Sequence, residues 1–237
     1  MNDKNPKQAV ILAAGKGVRM LHLTKDTPKP LIKIQGKPYL AYLLNHLKDC
    51  GFKKVILVVH YLKEKIQEFV DESNYPFEIE LVDQEKALGT GHAVLVTKNH
   101  ISGNFVVING DNLFSRDDLL NVDFDDDYNY VFGQEHPDPK HYGVLKVKGD
   151  FLVELEEKPE HPSSNLINVG LYKFTPEIFD VLEKIESSPR GEYELTSAID
   201  ILAKQGKFKV KILKSYCVHL GKLEDVEEVE EFIQKNL

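Results

Sequence analysis

Two glycines and three cations gathered around one turn carry most of the chemistry in this chain. Residues 9–14 form an apolar run that reads as a buried strand and ends directly on Gly15-Lys16-Gly17-Val18-Arg19, with Thr27-Pro28-Lys29-Pro30 just downstream. Glycines let the backbone turn tightly and present bare N–H groups, an arrangement that cradles a polyphosphate. Lys16, Arg19 and Lys29 supply more positive charge than a structural turn needs. Phosphoryl and nucleotidyl transfer rest on positioning and on neutralising phosphate charge, and that is the chemistry these residues point to. Two familiar glycine motifs are excluded. Met20, not a glycine, stands three places after Gly17, so the dinucleotide fingerprint fails; the Walker A spacing is absent.

The string Leu12-Ala13-Ala14-Gly15-Lys16-Gly17-Val18-Arg19-Met20, with its downstream Thr27-Pro28-Lys29-Pro30, resembles the signature of the sugar-1-phosphate nucleotidyltransferases, the NDP-sugar pyrophosphorylases. Further segments fall in the order that resemblance implies. Residues 84–94 are similar to the family's base-recognition segment: the Gln84 amide offers a donor and an acceptor that match a pyrimidine edge. Gly89 and Gly91 would permit close approach of a flat base, and Thr90 would cap the helix that follows. A plain strand, turn and helix with an exposed glutamine is the alternative. Asn109-Gly110-Asp111 matches the family's metal segment. Magnesium takes one or two carboxylates and completes its shell with phosphate oxygens and water, so Asp111 is the implied ligand. The competing reading is an aspartate in turn chemistry.

On the sugar side, Tyr142-Gly143-Val144, Glu156-Glu157-Lys158-Pro159 and Asn168-Val169-Gly170 match the segments that hold the sugar and its phosphate. A carboxylate and an amide converging on a polyol make chemical sense, because buried hydroxyls must be paired. Glu157 and Lys158 read otherwise as an exposed ion pair of small worth. Residues 191–196 resemble a segment preceding a late helix, with Glu194 near the sugar.

The resemblance therefore implies Arg19, Lys29, Asp111 and Lys158 as catalytic residues and Leu12, Ala14, Gly15, Lys16, Gly17, Gln84, Gly89 and Thr90 as nucleotide-binding. It implies Gly143, Glu157 and Asn168 as sugar-binding. The implied reaction joins a nucleoside triphosphate, UTP or dTTP before the others, to a sugar 1-phosphate and releases pyrophosphate, with Mg²⁺ as cofactor. A cytidylyltransferase of the same fold acting on a polyol phosphate or phosphocholine, and a non-catalytic sugar-nucleotide sensor, are the rival readings. One departure motivates the sensor: His219 occupies the place of the family's second metal-binding aspartate. Imidazole suits magnesium poorly, so His219 is a poor ligand, a site for a softer metal, or a histidine satisfied by hydrogen bonds. Asp225 would cap rather than ligate.

The elements that must position these groups alternate through the first half. Residues 55–59 and 105–108 read as buried strands, 39–50 and 62–70 as helices, and Gly51 as a helix stop. Such βα units imply a mostly parallel central sheet in a Rossmann-like three-layer α/β/α fold, with ligands beyond the carboxyl ends of the strands. In the second half, 130–134, 143–148, 151–156 and 169–174 read as strands, and 176–186, 194–204 and 224–234 as helices. The expectation is one domain over residues 1–237, with a nucleotide-binding part at about 8–115 and a sugar-binding part at about 128–237. Its length leaves no room for the β-helix acyltransferase domain that some relatives carry. The acidic run 117–127 reads as solvated surface.

Composition bounds the partners. The apolar share is 42% and the charged share 29%, as in an ordinary globular protein, and the net charge of −8 argues against nucleic-acid or anionic-membrane binding. Two cysteines, a polar start without a signal-peptide core and no run of membrane-spanning length point to the cytoplasm. Members of the family often pair, so a homo-oligomer is the protein partner the resemblance allows.

Overall fold

The structure, a computed structural model, describes residues 6–237, with only the backbone of Leu21 and His22. The first residues of the polar start, 1–5, lie outside the described residues. Nine strands form the main sheet: β1 (Gln8–Leu12), β2 (Lys54–Val59), β3 (Glu78–Asp83), β4 (Phe105–Asn109), β5 (Asn129–Glu135), β6 (Gly143–Lys148), β7 (Phe151–Glu157), β8 (Leu166–Phe174) and β9 (Phe208–Ile212). Their order is β3-β2-β1-β4-β8-β5-β9-β7-β6. The four strands β3, β2, β1 and β4 are mutually parallel, with Leu12 of β1 level with Val58 of β2 and Asn109 of β4. The other half is mixed. β8 runs antiparallel to β4 and β5, β9 is parallel to β5, and the β6–β7 hairpin closes the edge.

The side chains of these strands alternate between two cores. Ala9, Ile11, Val55, Leu57 and Val59 face one core, packed against α1 (Tyr39–Asp49) and α2 (Lys63–Asp71). Val10, Ile56, Val58 and Val107 face the other, under α3 (Thr90–Leu95), α4 (Glu177–Leu182) and α5 (Leu195–Lys204). The last helix, α6 (Asp225–Asn236), covers the first core with Val229 and Ile233. A period of two feeding both faces is what a strand buried between helix layers requires. The result is the expected α/β/α layering, parallel where the glycine loop leaves the sheet. Gly51, at φ +76°, follows α1 as the expected stop.

Two strands of the main sheet escaped the sequence reading, β3 and β9, because their apolar residues alternate with charges: Glu-Ile-Glu-Leu-Val-Asp and Phe-Lys-Val-Lys-Ile. β3 is an edge strand. β9 is internal, and its half-buried lysines lie over aromatic faces: Lys209 Nζ is 3.6 Å from the Tyr128 ring centroid and Lys211 Nζ 4.4 Å from that of Tyr130. The acidic run also differs from its solvated reading. Asp118 is fully buried and accepts hydrogen bonds from Ser115 Oγ and from the amides of Lys214 and Ser215. Asp126 pairs with the buried Lys173 at 2.8 Å.

Candidate active site

β1 lies between β2 and β4, so the chain reverses its direction of growth across the sheet at β1. That switch point opens a crevice beyond the carboxyl ends of β1 and β4. Gly110 N–H donates to the Leu12 carbonyl at 3.0 Å, joining the two strand ends. A Cβ on Gly110 would stand 2.6 Å from that same oxygen, so the close approach needs glycine. Asp111 is thereby set beside the glycine loop. Its Oδ2 accepts a hydrogen bond from Lys29 Nζ at 2.7 Å. Burial by itself would raise the Asp111 carboxyl, but the Lys29 ammonium and the His219 imidazole hold it below the usual carboxylate range.

A cleft of about 390 Å³ runs from this pair along the loop. Of the residues expected from the sequence, Leu12, Ala14, Gly15, Gly17, Arg19, Lys29, Gln84, Gly89, Thr90 and Asp111 line it. Gly17 sits at φ +61° and a Cβ there would meet Thr24 Cγ2 at 2.9 Å, whereas the space above Gly15 is open. Lys16 and Arg19 are exposed and, among the described residues, pair with no carboxylate. Lys16 does not line the cleft. The loop therefore presents two uncommitted cations beside an open cradle of backbone.

The second wall is built by the turn before α3. Gln84 is buried, and its Nε2 donates to the Gly89 carbonyl at 2.9 Å while lying 3.3 Å from His92 Nδ1. A carbonyl can only accept, which fixes the amide nitrogen on that side and leaves Oε1 as the group Gln84 can offer a ligand. Burial holds the His92 imidazole below its ordinary value and keeps it neutral.

One expectation for this turn needs correction. Thr90 does not cap α3: it is the helix's first residue, and its Oγ1 instead accepts the Leu195 N–H at 3.1 Å, satisfying an orphan donor at the start of α5. Gly89 and Gly91 are also required to be glycine by a neighbour within the fold. Cβ atoms there would stand 2.7 and 2.8 Å from the Tyr193 carbonyl oxygen. Tyr193 bridges the turn, donating its N–H to Leu88 O and accepting from Gly91 N, both at 2.7 Å. This clasp brings Glu192 into the cleft lining, a residue the sequence reading did not single out.

The expected sugar-side residues form a separate group. A Cβ on Gly143 would lie 3.4 Å from Asn168 Cβ and 3.5 Å from Glu157 Oε2, so the three meet. Asn168 Nδ2 donates to the Tyr172 hydroxyl at 2.7 Å, and its Oδ1 accepts from Gly170 N. Burial raises the Glu157 carboxyl above its ordinary value, opposed by Lys158 and Arg190. Lys158 adopts φ +47°, its N–H donating to Tyr142 O at 3.0 Å, and its ammonium is 3.9 Å from Glu157 Oε1. A non-glycine residue held left-handed costs of order 1–3 kcal/mol and marks a constrained position. Arg190, absent from the sequence reading, is tied to Glu194 at 2.8 Å on the loop that Tyr193 clasps. None of these residues lines the cleft.

His219 takes part in a hydrogen bond through one of its ring nitrogens. Its Nδ1 faces Asn112 Oδ1 at 2.6 Å, while Asn112 Nδ2 donates to Val169 O. Because that amide is oriented by the carbonyl, Nδ1 is the protonated nitrogen. Nδ1 also lies 3.9 Å from Asp111 Oδ1. Asp225 accepts from the amides of Gly221 and Lys222, closing the loop before α6. Among the described residues no three His, Cys, Asp or Glu side chains gather to hold a metal. One carboxylate, Asp111, suits a hard cation that arrives with phosphate oxygens of its own.

Comparison with known proteins agrees with this geometry. The model of the nucleotidyl transferase family matches residues 8–236. The protein GlmU of Methanococcus aeolicus, described as bifunctional, is 43% identical over 230 residues, covering 97% of this chain and 55% of its own. The chain thus spans about half the length of such relatives. The UTP–glucose-1-phosphate uridylyltransferase AglF of Haloferax volcanii is 37% identical over 236 residues, 96% of this chain and 97% of its own. Among solved structures, a UDP-glucose pyrophosphorylase complexed with UDP-glucose superposes with a TM-score of 0.87 at 24% identity, over 98% of this chain and all of that one. By sequence over nearly its whole described length, the chain belongs to the nucleotidyl transferase family.

Proposed function

We propose that this protein transfers a nucleotidyl group from a pyrimidine nucleoside triphosphate to a sugar 1-phosphate, releasing pyrophosphate and an NDP-sugar. The observation that carries the reading is the Lys29–Asp111 pair in the cleft beyond the ends of two parallel strands, beside a glycine loop whose cations Lys16 and Arg19 pair with no carboxylate among the described residues. In this reading the backbone at Gly15–Gly17 and the Arg19 guanidinium hold the β- and γ-phosphates and the departing pyrophosphate. Lys29 neutralises charge at the α-phosphate, where the sugar phosphate oxygen attacks in line without a covalent enzyme intermediate. Lys158 orients the sugar phosphate, and Glu157 and Asn168 accept and donate to sugar hydroxyls beside the bare backbone of Gly143. A magnesium ion would be held by Asp111 and, when bound, supplies neutralising charge to the phosphates. The protein's own contribution is orientation and preorganised charge.

Gln84 favours uracil or thymine over cytosine. Its Nε2 donates to Gly89 O and faces His92 Nδ1, so Oε1 is left to accept the imide N–H of uracil or thymine, whereas the corresponding nitrogen of cytosine is itself an acceptor. That argues for UTP or dTTP against the cytidylyltransferase reading. Cys50 and Cys217 are both free thiols, and among the described residues no helix is long and apolar enough to cross a membrane; we place the protein in a reducing cytoplasm.

The test is pyrophosphate release from a matrix of UTP, dTTP, CTP and GTP against glucose 1-phosphate and N-acetylglucosamine 1-phosphate. Turnover with a uracil or thymine nucleotide is expected. A preference for CTP would overturn the base assignment, and binding of NDP-sugars without turnover in any combination would establish a sensor.

A further inference from the structure

Glu192 is the one carboxylate besides Asp111 in the lining of the nucleotide cleft. The two differ in their company. Asp111 is engaged by Lys29, whereas the Glu192 side chain, among the described residues, makes no hydrogen bond or ion pair. The nearby guanidinium of Arg190 is committed to Glu194 at 2.8 Å.

The backbone that carries Glu192 is held from both sides. Its carbonyl accepts from Ser188 N at 2.8 Å, and Gly191 N donates to Ser188 O at 2.7 Å, with Gly191 at φ +74°. On the other side Tyr193 is clasped to Leu88 and Gly91. A Cβ placed on Gly89 would stand 3.0 Å from Glu192 Cβ, so Glu192 adjoins the very residue whose carbonyl orients Gln84. Holding a half-buried carboxylate on a closed turn, against a cleft and with no hydrogen-bond donor among the described residues, leaves its acceptor oxygens for a ligand that donates; its charge feels the Arg190 guanidinium that Glu194 binds.

We propose that Glu192 accepts hydrogen bonds from the ribose hydroxyls of the nucleotide and so selects ribonucleotides over deoxyribonucleotides at this site. The inference rests on the nucleotidyltransferase reading above. With Gln84 Oε1 taking the base imide and the glycine loop taking the phosphates, the group that lies between them in the nucleotide is the ribose. Its 2′- and 3′-hydroxyls are neutral donors, and a carboxylate has two oxygens with which to accept them. The cleft lining offers no second free carboxylate for that purpose.

The experiment is calorimetric binding of UTP, dUTP and CTP to the full chain without sugar phosphate, for the wild type, Glu192→Gln and Glu192→Ala. dUTP differs from UTP only at the 2′ position, so the pair isolates the hydroxyl. The wild type should bind UTP roughly 10- to 100-fold more tightly than dUTP, the worth of one charge-assisted hydrogen bond. Glu192→Ala should weaken UTP far more than dUTP and bring the two within about threefold; Glu192→Gln, which retains one acceptor, should fall between. Matching thermal melts check that the variants fold. A UTP to dUTP ratio that Glu192→Ala leaves unchanged overturns the proposal. So does a change in the UTP to CTP ratio alone, which would put the carboxylate on the base. Failure of every nucleotide to bind would instead overturn the function on which the proposal rests.

Discussion

Lys29 Nζ and Asp111 Oδ2 stand 2.7 Å apart although 82 residues separate them in the chain. The pair is built by topology. β1 and β4 are neighbours, Gly110 is hydrogen-bonded to the last residue of β1, and the Lys29-Pro30 segment folds back over the same strand end. A cation and an anion held this way are preorganised for a charged substrate, at little reorganisation cost when it binds.

Removing either partner should disable the chemistry. Lys29→Ala and Asp111→Ala are each expected to lower pyrophosphate release by roughly 10²–10³-fold, the usual consequence of losing a preorganised charge at a reacting phosphate. Steady-state kinetics at saturating Mg²⁺ measure it. Wild-type rates in Asp111→Ala would remove Asp111 from the mechanism.

Gly89→Ala and Gly91→Ala test the clasp between the turn and residue 193. Each added Cβ meets the Tyr193 carbonyl at under 3 Å, and Gly89 also lies at φ +103°. Both variants should lose roughly 1–3 kcal/mol of stability and bind UTP more weakly, because Gln84 is oriented by the Gly89 carbonyl. Denaturant melts and UTP titration report the two effects separately.

Asp118→Ala tests the buried end of the acidic run. Three donors converge on that carboxylate, the Ser115 hydroxyl and the amides of Lys214 and Ser215. Leaving them without an acceptor should cost roughly 2–4 kcal/mol in a urea melt. A change under about 0.5 kcal/mol would return Asp118 to the solvated reading.

Glu157 sets a pH limit on sugar binding. Burial raises its carboxyl above the ordinary value, and only the anion accepts hydroxyl donors on both oxygens. Affinity for the sugar 1-phosphate should therefore be full above the raised value and fall as pH drops through it, earlier than for an ordinary glutamate. The same shift means the folded chain binds this proton more tightly than the unfolded chain. Its contribution to stability is then lost as pH rises through the raised value. Glu157→Gln should flatten the KM profile for the sugar phosphate; the phosphate's own titration remains in both proteins and serves as the internal reference.

The parallel half of the fold and the cleft end at Gly15–Asp111 were legible because continuous apolar runs, glycines and a G-D turn are local signals. β9 was not, since its lysines lie over Tyr128 and Tyr130, rings that only the tertiary fold brings beneath them. The capping role expected of Thr90 failed, and the packing need for Gly89 and Gly91 was hidden, for the same reason. Their partners, Leu195 and Tyr193, are about a hundred residues away, and no spacing rule announces them. Glu192 and Arg190 enter the site only through that clasp. His219 was legible as a departure, but its pairing with Asn112 depends on the two-stranded ladder of residues 112–114 with 217–219.

The most direct test of the central claim runs the reaction backwards. Labelled pyrophosphate is incubated with UDP-glucose or UDP-N-acetylglucosamine, Mg²⁺ and the full chain, and label is followed into UTP. Labelled UTP is expected from one of these sugar nucleotides with the wild type and is expected to be lost in Asp111→Ala. No labelled UTP from either, in a protein that binds them, would contradict the claim that Lys29, Asp111 and the glycine loop perform nucleotidyl transfer.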